Sequence, residues 1–212
     1  GTTAPAISAP LLFGTDVGAS LNEAIVYVRD GQTGASTING GITARDFTKT
    51  GPGVLEIGGT TNLLNPNSAR LPVVSVQDGT LRLTSSGSAF QNTYRGTTVG
   101  DYLGHAALSV NEAGVFDLNG NSTTIGALSG NGTVTSGVAG AVNLTVKNGF
   151  AQDSTFNGAI TNGAGTLSLT KTQNGILTLG GNNTFSGGVT VQSGRVTNAI
   201  GSTSGLGRLE AQ

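Results

Sequence analysis

The sequence predicts an all-β chain wound as a right-handed parallel β-helix, a β-solenoid. Three observations carry this expectation: a composition made for short strands and tight turns, two-residue alternation of apolar and polar side chains, and a long internal repeat. Of 212 residues 36 are glycine, 10% are charged, 5% are aromatic, and Cys, Met and Trp are absent. A glycine load of this kind is compatible with disorder only when hydrophobicity is low or net charge high. Here 36% of residues are apolar and the net charge is −1. The apolar residues are largely Val, Leu and Ile set among Thr, Ser, Asn and Gly, which suits strands joined by glycine and asparagine corners.

The alternation runs through much of the chain. Val54-Leu55-Glu56-Ile57, Val74-Ser75-Val76-Gln77 and Thr80-Leu81-Arg82-Leu83 all have it, as do Ala107-Leu108-Ser109-Val110, Val115-Phe116-Asp117-Leu118 and Val142-Asn143-Leu144-Thr145-Val146. A period of two is the signature of a strand with one face buried. In Val115–Leu118 it turns Asp117 outward if Phe116 and Leu118 face in. Helix signals are nearly missing; Ser20–Tyr27 reads as a short turn or as the entry to a strand.

Repetition separates a solenoid from a sandwich. Phe47-Thr48-Lys49-Thr50-Gly51-Pro52-Gly53-Val54-Leu55-Glu56-Ile57-Gly58-Gly59 matches Leu169-Thr170-Lys171-Thr172-Gln173-Asn174-Gly175-Ile176-Leu177-Thr178-Leu179-Gly180-Gly181. Further on, Val76-Gln77-Asp78-Gly79-Thr80-Leu81 echoes Val191-Gln192-Ser193-Gly194-Arg195-Val196. The two offsets differ by about seven residues, which a loop around Thr60–Pro72 absorbs, marked by Asn62, Asn65, Pro66, Asn67 and Pro72. At roughly 20–30 residues per coil and about 4.8 Å per coil, the chain makes about eight coils and a rod near 40 Å long. Residues 1–46 are an atypical segment expected to form first coils or a cap. Residues 47–212 form the β-helix, with an insertion loop near 84–105.

Charge and hydropathy exclude several partners. Lys and Arg total 10 and are scattered singly, so no basic face for nucleic acid is expected. No stretch approaches the roughly 20 apolar residues of a membrane-spanning helix. The absence of Met implies that Gly1 is not a translational start and that the chain is a piece of a longer one. Without Cys there is neither a disulfide nor thiol chemistry.

The segment Gly175-Ile176-Leu177-Thr178-Leu179-Gly180-Gly181-Asn182-Asn183-Thr184-Phe185-Ser186-Gly187-Gly188-Val189-Thr190-Val191-Gln192-Ser193-Gly194-Arg195-Val196 resembles the passenger-associated transport repeat, also called the autotransporter-associated β-strand repeat. Its pattern runs G-T-L-x-L-x-G-x-N-T-Y-x-G-G-T-x-V-x-x-G-x-L, and Phe185 stands where Tyr is usual. Val115–Val134 and Ser154–Ile160 look like neighbouring passenger sequence. The resemblance is good over Ala107–Val196 and partial over Phe47–Leu83; Gly1–Arg45 and Thr84–Gly104 depart from it. It implies a β-helical passenger exported across the outer membrane, found extracellularly or at the outer surface of a Gram-negative bacterium, with the repeat aiding export and folding. It names no activity.

Catalytic and metal constellations are not legible. His105 is the one histidine, so a triad or a histidine-based zinc site would have to use it alone. Of the carboxylates Asp16, Glu23, Asp30, Asp46, Glu56, Asp78, Asp101, Glu112, Asp117, Asp153 and Glu210, Asp117 lies on a strand, and no second acid follows it at strand spacing to make the pair that glycoside chemistry needs. The Gly-Gly pairs lack the spaced Asp of calcium-binding nonapeptide rolls. Asn-x-Ser/Thr triplets at Asn121, Asn131, Asn143 and Asn182 read as turns and ladders. No enzyme activity, metal or cofactor is expected.

The most distinctive stretch is Ser85–His105, which gathers Phe90, Tyr94, Arg95, Asp101, Tyr102 and His105 in a Gly/Ser/Thr-rich insertion. Loops on a rigid scaffold are where binding tends to reside, which makes these six candidate ligand contacts; the favoured reading of the stretch is a loop whose aromatics pack back over the coil wall. The functional expectation is a non-catalytic stalk, structural or adhesive, meeting a cell-surface or matrix ligand. Two alternatives stand beside it: a filament subunit stacking end to end through unpaired strand edges, and a polysaccharide-active β-helix enzyme.

Overall fold

The computed structural model describes residues 2–14, 22–64, 71–86, 90–94, 97–98, 104–149 and 153–199. These residues are all-β, with strands that pair almost entirely in parallel. The chain winds as a parallel β-helix whose coils each lay strands on up to three walls.

The first wall stacks Ala24–Tyr27, Phe47–Thr50, the first half of Val73–Leu83, the first half of Ala107–Asp117, Leu128–Gly130, Ser154–Phe156, Ile176–Leu179 and Arg195–Asn198. Eight strands at about 4.8 Å apart give a wall of about 35 Å, close to the expected rod. The second wall stacks Ala6–Ile7, Ser36–Ile38, Val54–Ile57, the second halves of the two long strands, Thr133–Ser136 and Ala159–Gly163. Because Val73–Leu83 and Ala107–Asp117 run through the corner, with a register irregularity between Val76 and Asp78, the first two walls join in one 13-stranded sheet.

The third wall comes in two ladders. Leu11–Leu12, Ile42–Ala44, Thr61–Leu64 and Phe90–Tyr94 form the first; Thr123–Ile125, Ala141–Val146, Thr166–Lys171 and Val189–Val191 form the second. The expected loop at Thr60–Pro72 therefore holds a strand, Thr61–Leu64, before reaching residues 65–70, which lie outside the described ones. A residue shifted from loop to wall in this way shows how four residues suffice for a β-helix strand.

Parallel in-register pairing puts like positions at the same depth, so apolar side chains stack coil over coil. On the second wall Leu55, Leu81, Phe116, Val134 and Ile160 are successive partners, each at most 1% exposed. On the third, Leu144, Leu169 and Val189 follow each other inward. Outside, amides and hydroxyls take over: Asn143 Oδ1 accepts hydrogen bonds from Ser168 and Thr170, each at 3.0 Å, and Thr178 meets Thr197 at 3.1 Å.

One outward row is charged. Glu56, Arg82 and Asp117 are register neighbours, and Arg82 donates to Glu56 at 3.2 Å and to Asp117 at 2.9 Å. Asp117 points away from Phe116 and Leu118 as expected, yet it is only 3% exposed. The backbone N–H groups of Asn119 and Gly137, at 2.8 and 2.7 Å, donate to its Oδ1 and cover it. Alternation gives the side of the sheet a residue occupies; it does not show what the next coil lays over it.

Phe116→Ala, at the centre of the inward column, is expected to lower unfolding free energy by about 3–5 kcal/mol. Thr124→Ala on the outer wall is expected to change it by under about 1 kcal/mol. Chemical denaturation of the two variants checks the contrast; equal effects would contradict inward stacking.

Candidate functional site

Two regions stand out: the coil built from residues 169–197, and the 84–105 segment. In the first, Thr166–Lys171 ends the third wall and Ile176–Leu179 begins the first. Between them the chain turns through Gln173, whose φ of +63° is one of two positive values on non-glycine residues among the described positions.

Lys171 occupies an inward position between Val146 and Val191 and is fully buried. Aliphatic neighbours above and below leave its stem well packed, but an ammonium there must find acceptors. It finds main-chain carbonyls at the corner: Thr172 O, Gln173 O at 2.7 Å, Asn148 O of the preceding coil at 3.3 Å and Ser193 O of the following coil at 3.4 Å. Three coils thus share one cation. Burial pushes the Lys171 ammonium down from 10.5 to about 8, partly opposed by the negative charge of Asp153.

The rest of the turn is held by amides. Asn148 Nδ2 donates to Ile176 O at 2.8 Å, and Asp153 Oδ1 accepts from the Ile176 N–H at 2.7 Å. Asn183 Oδ1 accepts from the Ile160 N–H at 3.0 Å and its Nδ2 donates to Gly181 O at 3.0 Å. Phe185, 2% exposed, closes the core beside them. Residues 169–197 match the family model for the passenger-associated-transport-repeat. The match covers the carbonyl-bound lysine, its turn, the Gly-Gly-Asn corner and the last first-wall strand. This repeat points to an autotransporter passenger domain, a protein secreted or displayed at the cell surface. Comparison with curated proteins and with solved structures returns no match.

The second region departs from a simple insertion. Phe90–Tyr94 is a third-wall strand in parallel with Thr61–Leu64, and it turns back through an antiparallel pairing with Thr97–Thr98. Phe90, a candidate ligand contact, is instead a core residue: it is 0% exposed, with its ring centroid 6.0 Å from that of Phe116. The strand period turns it inward, and the sequence hid this because the surrounding Ser, Asn and Gly give little alternation. Tyr94 ends that strand. His105 is half-buried and forms an antiparallel bridge with Gln91. Arg95, Asp101 and Tyr102 lie outside the described residues. Among the described residues no cluster of three or more His, Asp or Glu side chains could hold a metal ion, and no helix is long and apolar enough to cross a membrane.

What sequence reading missed is Lys171. A lysine at an inward position of an alternating strand is the available signal: Leu167, Leu169 and Lys171 share one face.

The shift of Lys171 fixes a pH dependence. Below about pH 8 folded and unfolded chains both hold the proton; between about 8 and 10.5 the folded chain releases it first, so stability rises with pH across that window. The Lys171 share of the rise is expected to reach on the order of 1–3 kcal/mol and to be lost in Lys171→Met, leaving the like-signed rise of Lys49, which burial also pushes down to about 8. At pH 7 the same variant, which strands the corner carbonyls, is expected to be less stable by about 1–3 kcal/mol. Denaturant midpoints of both proteins from pH 7 to 10.5 test the pair of statements.

Proposed function

We propose that this chain is a non-catalytic β-helical stalk segment of a secreted or surface-displayed bacterial passenger, with a structural or adhesive role. The matched repeat, built into the last described coils of a continuous β-helix, is the observation that supports this reading.

The physics of the rod agrees with it. Rigidity comes from inward columns and in-register backbone pairing, neither of which needs charge. The outer wall of hydroxyls and amides stays soluble with 10% charged residues and presents repeated hydrogen-bonding groups to whatever the rod meets. A chain without Cys crosses an oxidising compartment without disulfide trapping. Binding would belong to the corners and to the 84–105 segment; a cell-surface or matrix ligand is the partner class that fits a displayed rod.

In the parent bacterium, mild protease treatment of intact cells is expected to remove this segment. Cells lacking the gene are expected to show altered attachment to host matrix or to one another. Protection of the segment inside intact cells would overturn surface display, and unchanged attachment would overturn the adhesive role. Two further results would replace the stalk reading: long filaments of the purified chain under electron microscopy, or release of reducing ends or unsaturated products from a polysaccharide panel.

A further inference from the structure

The matched coil has a counterpart elsewhere in the rod. Lys49 occupies the same kind of position as Lys171: an inward place between two valines, Val26 and Val76, and complete burial. Its Nζ donates to Gly51 O, within its own turn, and to Asp78 O of the following coil at 2.7 Å. Gly51 turns with φ +79° where Gln173 has +63°.

Two backbone hydrogen bonds of the surrounding corner repeat. Gly53 N–H donates to Val28 O at 2.9 Å, and Gly175 N–H donates to Asn148 O at 3.0 Å. One coil later Thr80 N–H donates to Gly53 O and Arg195 N–H to Gly175 O, both at 3.3 Å. Above each lysine sits a glycine with positive φ, Gly79 at +64° and Gly194 at +77°. A Cβ on Gly79 would lie 2.5 Å from Lys49 Nζ and collide with the carbonyls of Gly51 and Gly53; one on Gly194 would lie 2.9 Å from Lys171 Nζ and collide with those of Gln173 and Gly175.

Position in the rod does not explain the likeness. Lys49 closes the corner after the first wall, whereas Lys171 closes the corner after the third. The arrangement therefore travels with the local sequence, not with the wall.

We propose that residues 47–81 are a second transport-repeat module outside the matched residues, and that its working element is a coil latch: an inward lysine bound by the carbonyls of its own turn and of the next coil, under a glycine that leaves room for the ammonium. The latch ties the closing of one coil to the arrival of the next, because the following corner brings each ammonium a further acceptor, Asp78 O to Lys49 and Ser193 O to Lys171. Each module is thus a point where the winding chain is held in register. The transport part of this statement rests on the passenger reading above; the latch itself does not.

Purified chain carrying Gly79→Ala, Gly194→Ala or Gly31→Ala separates the latch from backbone strain. Gly31 has φ +74° with nothing within 4 Å of an added Cβ, so Gly31→Ala reports the strain of a left-handed alanine alone. Gly79→Ala and Gly194→Ala are expected to lower the folded-to-unfolded ratio alike, each at least tenfold more than Gly31→Ala. A Gly79→Ala effect no larger than that of Gly31→Ala, beside a large Gly194→Ala effect, overturns the second module. Should Gly79→Ala not fold, the unmodified chain decides: ¹³Cε signals of Lys49 and Lys171 are expected to titrate together near pH 8, as their shared burial requires. Lys49 titrating near 10.5 by itself overturns the proposal. Neither arm needs export, so failure of surface display and failure of the latch read out separately.

Discussion

Everything in this rod depends on in-register parallel pairing between one coil and the next. That constraint fixes the depth of every side chain, so an inward residue always meets another inward residue above and below. Leu55, Leu81, Phe116, Val134 and Ile160 are successive partners for this reason. The same rule places Asn143 against Ser168 outside. A slip of one residue would turn a whole column to water, which is why alternation is strict where strands are long and why glycine gathers at corners.

The rule also sets the terms on which charge enters. Outside, Arg82 sits between two carboxylates in a three-coil row, and Asp117 is covered by the Asn119 N–H of its own corner and the Gly137 N–H of the next coil. Inside, lysine replaces valine in a column only beside a corner, where carbonyls of the turning backbone are free of strand pairing. Burial weakens the ammonium without removing its partners, so the cation is costly to hold but more costly to leave unmet. Buried charge in this protein is a property of corners.

Much of the architecture was legible. The alternating stretches Val74–Val76, Leu81–Leu83 and Val142–Val146 all became wall strands with the expected faces inward. The internal match of Phe47–Gly59 to Leu169–Gly181 identified a repeated unit, and the Gly175–Val196 pattern named the repeat. Short third-wall strands were harder: Thr61–Leu64 and Phe90–Tyr94 lie among Asn, Ser and Gly, whose local signal favours turns until a neighbouring coil supplies pairing. For the same reason the sequence placed Phe90 in a loop packed over the coil wall and not in a wall strand of its own. Nor does a one-dimensional match reveal that Lys49 and Lys171 turn different corners, since the wall a segment occupies depends on every loop length before it.

The two eleven-residue strands, Val73–Leu83 and Ala107–Asp117, pair with each other across both walls and through the corner between them. Elsewhere a coil can peel off one short strand at a time. Here a departing coil must release both walls together, as a zip meets a sewn seam. Loosening that begins at either end of the rod will therefore pause at this seam, dividing a regular coil stack into two halves that fray independently.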